Sequence, residues 1–180
     1  MSNPIRYEQF PLKLVCLSML TAVIGYLLGT MVYYLFNPWL GAAYLLLCIV
    51  TVVVVMRYRC SYCYYHGKRC SSGFSLIATR LFKKRSPEQF ATPQTLMPAM
   101  IISLPVLLLP LLGAIALVLL TGTLLAWALL VANLLMFVPG FAKKSLYCSH
   151  CKQRELGCPG CDGFKPKSLA EMKVPLKAPQ

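Results

Sequence analysis

The chain alternates between long uncharged apolar stretches and short polar, basic ones. From Leu14 to Met56 there is no Lys, Arg, Asp, Glu or His, and the same holds from Met97 to Ala142. A membrane span takes about 20 apolar residues, so each stretch is long enough for two crossings. Phe36-Asn37-Pro38 interrupts the first with a turn-forming pair, and Thr121-Gly122-Thr123 interrupts the second. The pattern predicts an all-α integral membrane protein with four transmembrane helices, near residues 14–36, 39–56, 97–120 and 124–141. The first run is longer than the apolar core of a signal peptide, of about 7–15 residues, and ends in Tyr33-Tyr34-Leu35-Phe36, so it reads as an anchor.

Charge orients these spans. Arg6 and Lys13 precede the first, and the remaining Lys and Arg lie in 57–85 and 143–177, with none at the two inter-helix turns. By the positive-inside rule the N-terminus, the middle loop and the C-terminus are cytoplasmic. The net charge of +13 is thereby a topology signal, and the lipid bilayer with its anionic inner leaflet is the expected electrostatic partner. Nucleic acid is not expected. In 74–85 the residues Phe74, Ile77, Ala78 and Leu81 share one helical face with Arg80, Lys83 and Lys84 off it. That pattern fits a short helix lying in the interface, and equally one packed on the loop.

The chain also repeats itself. YRCSYCYYHGKRCSSG places Cys60, Cys63 and Cys70 at the spacing of Cys148, Cys151 and Cys158 in LYCSHCKQRELGCPGC. The same ungapped register pairs Trp39 with Trp127, which are the two tryptophans of the chain, and Gly25 with Gly113. This predicts two tandem parallel-repeat hairpins, each followed by a cytoplasmic Cys-rich knuckle. Repeat one covers 1–95, repeat two 96–163, and a disordered basic tail 164–180. An axis along the membrane normal brings the two knuckles together. The repeat departs from itself at one place, where Cys161 corresponds to Gly73.

The cysteines carry the chemistry. Cys16 and Cys48 lie within spans and are expected as small buried hydrophobes. The other seven cluster in polar loops on the expected cytoplasmic side, where thiols stay reduced, so metal binding or thiol redox exchange is expected rather than structural disulfides. Two CxxC pairs present four thiolates that complete a tetrahedron around zinc or a single iron. Cys148, Cys151, Cys158 and Cys161 form one candidate site. Cys60, Cys63 and Cys70 form a second, with His66 as a candidate fourth ligand and an open fourth position as the alternative. His150 is read as a bystander, and Tyr58, Tyr62, Tyr64 and Tyr65 as interfacial anchors. CPGCD, from Cys158 to Asp162, resembles one knuckle of a rubredoxin, which implies that iron as well as zinc suits these thiolates. Cysteine motifs after membrane helices are also similar in layout to those of ferredoxin-type quinol dehydrogenases, whose denser cluster motifs are absent here.

What the spans lack narrows the function. They hold no histidine to ligate haem and no ionisable pair for proton-coupled transport. Pro98, Pro105 and Pro110 predict a bent third helix with a crevice beside it. The five acidic residues lie outside the spans, and no nucleophile motif or phosphate loop is present. The expected function is a small polytopic membrane metalloprotein whose knuckles bind zinc and form a docking scaffold, for other membrane subunits, a second copy or a soluble cytoplasmic partner. The alternatives are electron transfer through thiolate-bound iron or a small iron-sulfur centre, and a metal sensor or trafficking protein. In that last case Gly73→Cys is expected to complete the first site.

Overall fold

The computed structural model describes residues 6–154, Leu156 and Cys158, without the side chains of 137–146. Cys161 and the basic tail at 164–180 lie outside the described residues.

The apolar stretches form helices because a backbone in lipid has no water to pair with and must satisfy its own hydrogen bonds. α1 spans Leu12–Phe36 and α2 Pro38–Tyr58. Asn37 turns the chain between them, its side chain accepting from the backbone N–H of Trp39 at 2.9 Å, with Pro38 at the first helical position. α3 is Phe74–Leu81, α4 Pro93–Thr121 and α5 Leu124–Cys148. Between α4 and α5, Gly122 adopts φ +60°, which costs glycine little, and donates to Val118 O at 2.9 Å. Thr123 then caps α5 by accepting from Ala126 N at 3.3 Å.

Three helical stretches are long and apolar enough to cross a membrane: Leu12–Phe36, Pro38–Tyr62 and Pro93–Thr121. The apolar part of α5 among the described residues, Leu124–Met136, is shorter. Large apolar side chains cover the outside, with Leu119, Leu120 and Leu124 each at least 75% exposed. Such a surface suits a bilayer and not water. Among the described residues no strand forms, and one isolated β-bridge joins Tyr7 to Cys151.

α4 packs against α1, α2 and α5, and α1 also touches α2 and α5. The core lies in patches at successive depths. Val32, Ala114, Leu117, Ala126 and Leu129 pack near the Gly122 turn, Tyr44, Cys48 and Val106 at mid-bundle, and Phe10, Val15, Tyr65, Cys70 and Tyr147 at the cysteine end. Gly113 lets α4 approach α1 closely, since a Cβ there would meet Val32 Cγ1 at 2.9 Å. The paired Gly25 does not serve this purpose. A Cβ at Gly25 meets nothing within 4 Å, and the close contact on α1 is Gly29, beneath the Tyr44 ring. Cys48 is a buried hydrophobe as expected, whereas Cys16 is exposed on the outer face.

The three prolines do not interrupt α4, which is helical throughout Pro93–Thr121. Pro110 lacks the N–H that Val106 O would otherwise receive, and the buried Tyr44 hydroxyl supplies the replacement at 2.9 Å. The Tyr33 hydroxyl donates to Leu109 O at 2.9 Å on the same stretch. Beside it lies the expected crevice, a cavity of about 340 Å³ whose walls include Gly25, Ser103, Val106, Pro110 and Asn133.

In the middle loop, α3 divides its apolar residues. Ala78 is buried and Phe74 packs against the cluster of Met56, Cys60 and Ala78, while Leu76, Ile77 and Leu81 face outward beside Arg80. The loop arginines do more than mark topology. Arg59 donates to Phe90 O at 2.9 Å and stacks 3.8 Å over its ring, and Arg85 donates to the Tyr62 hydroxyl at 2.6 Å.

Candidate functional site

Both cysteine motifs are continuations of helices. α2 ends at Tyr58 and passes through Arg59 into a 3-10 turn at Cys60–Tyr62, with Cys63 N donating to Cys60 O at 3.3 Å. α5 ends at Cys148 itself, Cys151 N donates to Cys148 O at 3.4 Å, and a 3-10 turn at Lys152–Arg154 follows. In each case the CxxC pair closes a turn at the end of a rigid helix, which carries the sulfurs to the same end of the bundle.

There the motifs meet. A cavity of about 400 Å³ is lined by Cys60, Cys63 and Cys70 from the first and by Cys148, Cys151 and Cys158 from the second. Arg59, Gln153, Tyr65 and Tyr147 are also among its walls. The structure therefore brings six of the expected site residues to one chamber. Cys161 lies outside the described residues. His66 stands apart from the wall, buried, with its Nδ1 3.1 Å from Cys60 O.

The two motifs are joined by contacts that the sequence pattern did not reveal. Residues 6–10 cross over both: Tyr7 N donates to His150 O at 3.1 Å, and Phe10 N donates to Arg69 O at 2.9 Å. Glu8 accepts from the Tyr64 hydroxyl at 2.8 Å and forms ion pairs with Lys68 and Lys152, one from each motif. Tyr65 is fully buried rather than an interfacial anchor. Its hydroxyl donates to Tyr7 O at 2.8 Å and accepts from Lys152 N at 3.0 Å. His150, expected as a bystander, stacks on Tyr7 with ring centroids 4.9 Å apart. Aromatic residues just before a basic motif look the same in sequence whether they anchor to lipid or cover a site, so the only available signal was their density.

Gln153 is the second residue missed. It is 1% exposed, its Oε1 accepts from Tyr64 N at 2.6 Å, and among the described residues its Nε2 has no hydrogen-bond partner. Because a backbone N–H can only donate, the amide orientation is determined by chemistry and the NH₂ end is the one left over. An orphaned buried donor costs about 1–3 kcal/mol. It lies on the wall of the cysteine-lined chamber.

Burial favours the protonated thiol at Cys60, Cys63 and Cys151. Burial pushes Cys63 up to about 12 and also raises Cys151 above the ordinary thiol range, with neighbouring cysteines adding to the effect. A cation beside these buried thiols would favour the thiolate form. As placed, no three His, Cys, Asp or Glu side chains among the described residues converge as a ready set of metal ligands. Cys148 is disulfide-bonded, against the expectation of reduced thiols, while the other described cysteines are free. A disulfide sulfur is not a thiolate ligand, so Cys148 must be reduced, with two electrons and two protons, before it binds an ion.

At Gly73, the position matched to Cys161, a cysteine would be strained. Gly73 caps α3 at φ +78°, and a Cβ there would run into Met19, with its Cγ at 2.7 Å. The position matched to Cys161 is a left-handed turn closed by α1, not a vacant ligand slot.

Comparison with protein families, curated proteins and solved structures finds no match for this chain.

Proposed function

We propose that this chain is a small polytopic membrane metalloprotein. It crosses the membrane four times as two repeated hairpins, with the termini and the middle loop cytoplasmic, and its cysteine motifs bind zinc. The metal orders a cytoplasmic face that serves as a docking scaffold for other membrane subunits, a second copy or a soluble partner. The observation that carries this reading is the chamber at the ends of α2 and α5, where six motif cysteines meet. Loops with so few apolar residues gain little from burial, and metal coordination supplies folding free energy directly. The matching helix-to-turn geometry of Cys60–Cys63 and Cys148–Cys151 supports descent from one repeated unit.

Electron transfer through thiolate-bound iron is the second reading, favoured by the number of sulfurs around one cavity and by the disulfide at Cys148. One experiment separates the two. The protein is purified in detergent under reducing, anaerobic conditions, and its metal content per chain is measured together with its visible spectrum. Zinc without colour supports the scaffold. Iron with thiolate-to-metal absorption supports electron transfer, and a metal-free, colourless protein that takes up neither metal overturns both.

A further inference from the structure

The crevice beside Pro110 has polar walls whose hydroxyl protons are mostly engaged and whose acceptors are not. Thr21 donates to Ser18 O at 2.9 Å, Ser103 to Ala99 O at 2.6 Å, Thr51 to Ile102 O at 3.3 Å and Tyr44 to Val106 O at 2.9 Å. All four line the cavity of about 340 Å³, and each has committed its one proton while keeping lone pairs on its oxygen. Asn133 adds a stronger acceptor. It is 5% exposed, and its Nδ2 donates to Leu129 O at 2.8 Å. A carbonyl only accepts, so the NH₂ end is fixed towards its own helix and Oδ1 is the end left for the cavity. Among the described residues no donor reaches that oxygen. We infer that the crevice binds a neutral, lipid-soluble hydroxyl compound, an alcohol or phenol with an apolar body, whose O–H donates to Asn133 Oδ1. This goes beyond the metalloprotein reading and needs only the membrane setting of the bundle.

An acceptor at this depth has few other ways to be satisfied. Asn133 lies about 14 Å along α5 from Leu124 at 1.5 Å per residue, about half of a hydrocarbon layer of about 30 Å. Water is scarce there, and a buried polar group without a partner costs free energy. A polar residue within a span usually bonds a neighbouring helix. Asn133 bonds its own helix instead and lines a cavity.

The walls also say what enters. Those described hold no Lys, Arg, Asp, Glu or His, so a carboxylate, phosphate or ammonium group would arrive without a counter-charge. A ketone or ester would bring another acceptor to walls already rich in them. A hydroxyl brings the proton they lack, and Tyr26, the one lining hydroxyl that makes no hydrogen bond among the described residues, is a donor for the ligand side. An apolar cavity of about 150 Å³ takes benzene, so this one suits a body about twice that size. Leu107 belongs both to the wall and to the outer face, at 53% exposed, so the crevice reaches the lipid-facing surface and the ligand enters from the bilayer. Gly25 keeps the α1 side open, since a Cβ there meets nothing within 4 Å.

The test uses the full chain in phosphatidylcholine vesicles and a decyl alcohol carrying a photoactivatable diazirine in its chain. After irradiation, peptide mass spectrometry locates the label. The probe should label the crevice wall around Tyr26, Val106 and Asn133 saturably. Unmodified 1-decanol should displace it about 3- to 10-fold more effectively than decyl methyl ether, the worth of one neutral hydrogen bond. Asn133→Leu keeps the size of the side chain and removes the acceptor, so it should make the two competitors equal. Gly25→Leu fills the open space on α1 and should abolish the saturable label while leaving background label on outward residues such as Leu119. Label that never saturates, or that spreads evenly over the lipid-facing surface, overturns the site. Equal displacement by alcohol and ether in the wild-type chain overturns the hydroxyl as the recognised group, and a preference that survives Asn133→Leu overturns the role given to Asn133. The wild-type competition decides the site and its chemistry even if neither variant folds.

Discussion

Adding one methyl group to either of two glycines on the same face of α1 should have opposite effects. At Gly29 a Cβ would lie 2.7 Å from the Oη and Cε1 atoms of Tyr44 and 2.8 Å from Cζ. Ordinary contact begins near 3.4 Å, so in Gly29→Ala the ring, its hydroxyl included, must move by about 0.7 Å. A hydroxyl moved that far loses the 2.9 Å bond to Val106 O, the carbonyl that Pro110 leaves without its helical donor. Overpacking costs about 1–3 kcal/mol, a lost interhelical hydrogen bond in a membrane about 0.6 kcal/mol on average, and alanine's helix propensity returns up to about 1 kcal/mol. The net expectation is a destabilisation of about 1–3 kcal/mol. Gly25→Ala meets nothing within 4 Å and should be neutral or stabilising by up to about 1 kcal/mol. Cys48 reports the opening, because it is 2% exposed and belongs to the same cluster as Tyr44. Its alkylation by a membrane-permeant maleimide, followed by peptide mass spectrometry, should be about 5- to 150-fold faster in Gly29→Ala than in wild type. It should be no faster in Gly25→Ala. Tyr44→Phe combined with Gly29→Ala should cost less than the sum of the single changes, since both act on one hydroxyl. Equal rates for Gly29→Ala and wild type, or a faster rate in Gly25→Ala, would show that Tyr44 is not pinned between α1 and α4.

Other predictions concern the cysteine end. Tyr65→Phe removes a buried hydroxyl that accepts from Lys152 N and donates to Tyr7 O; a loss of about 1–3 kcal/mol should appear as faster proteolysis in residues 6–10. Glu8→Gln should have a small effect, under about 1 kcal/mol, because the carboxylate is 61% exposed. Its melting temperature should differ from wild type at low salt and match it at high salt. Cys63, raised to about 12, is a protonated thiol at pH 7, so zinc uptake near neutrality should release close to one proton per ligand and strengthen as pH rises; calorimetry in buffers of different ionisation enthalpy measures this, and uptake without proton release would refute it. Reduction of the Cys148 disulfide should raise the zinc bound per chain, and a zinc content indifferent to reductant would exclude Cys148 as a ligand.

Hydropathy alone was enough to locate the helices, because in lipid a long uncharged run has few alternatives to helix and the breaks at Asn37 and Gly122 are set by local turn chemistry. The cysteine spacing likewise marked the candidate ligands, since a CxxC pair is a local device closed by one turn. What the sequence could not supply was every contact that depends on two distant segments arriving at one place. The paired register made Gly25 and Gly113 equivalent, yet only the latter sits against a neighbouring helix; close approach is decided by which face α4 turns to α1. Gly73 looked like a missing ligand because spacing carries no backbone angle, and its φ of +78° belongs to the turn that opens α3 beside Val15 and Met19 of α1. Gln153 and the segment from Arg6 to Phe10 gave no pattern to read. Their importance arises because α2 and α5 end at the same level of the bundle and deliver two knuckles into one chamber. The sequence by itself determined the helices and the chemistry available at their ends. Tertiary structure decided where those chemistries are brought together, because buried hydrogen bonds and packed contacts depend on distances of a few ångströms between residues nearly ninety positions apart.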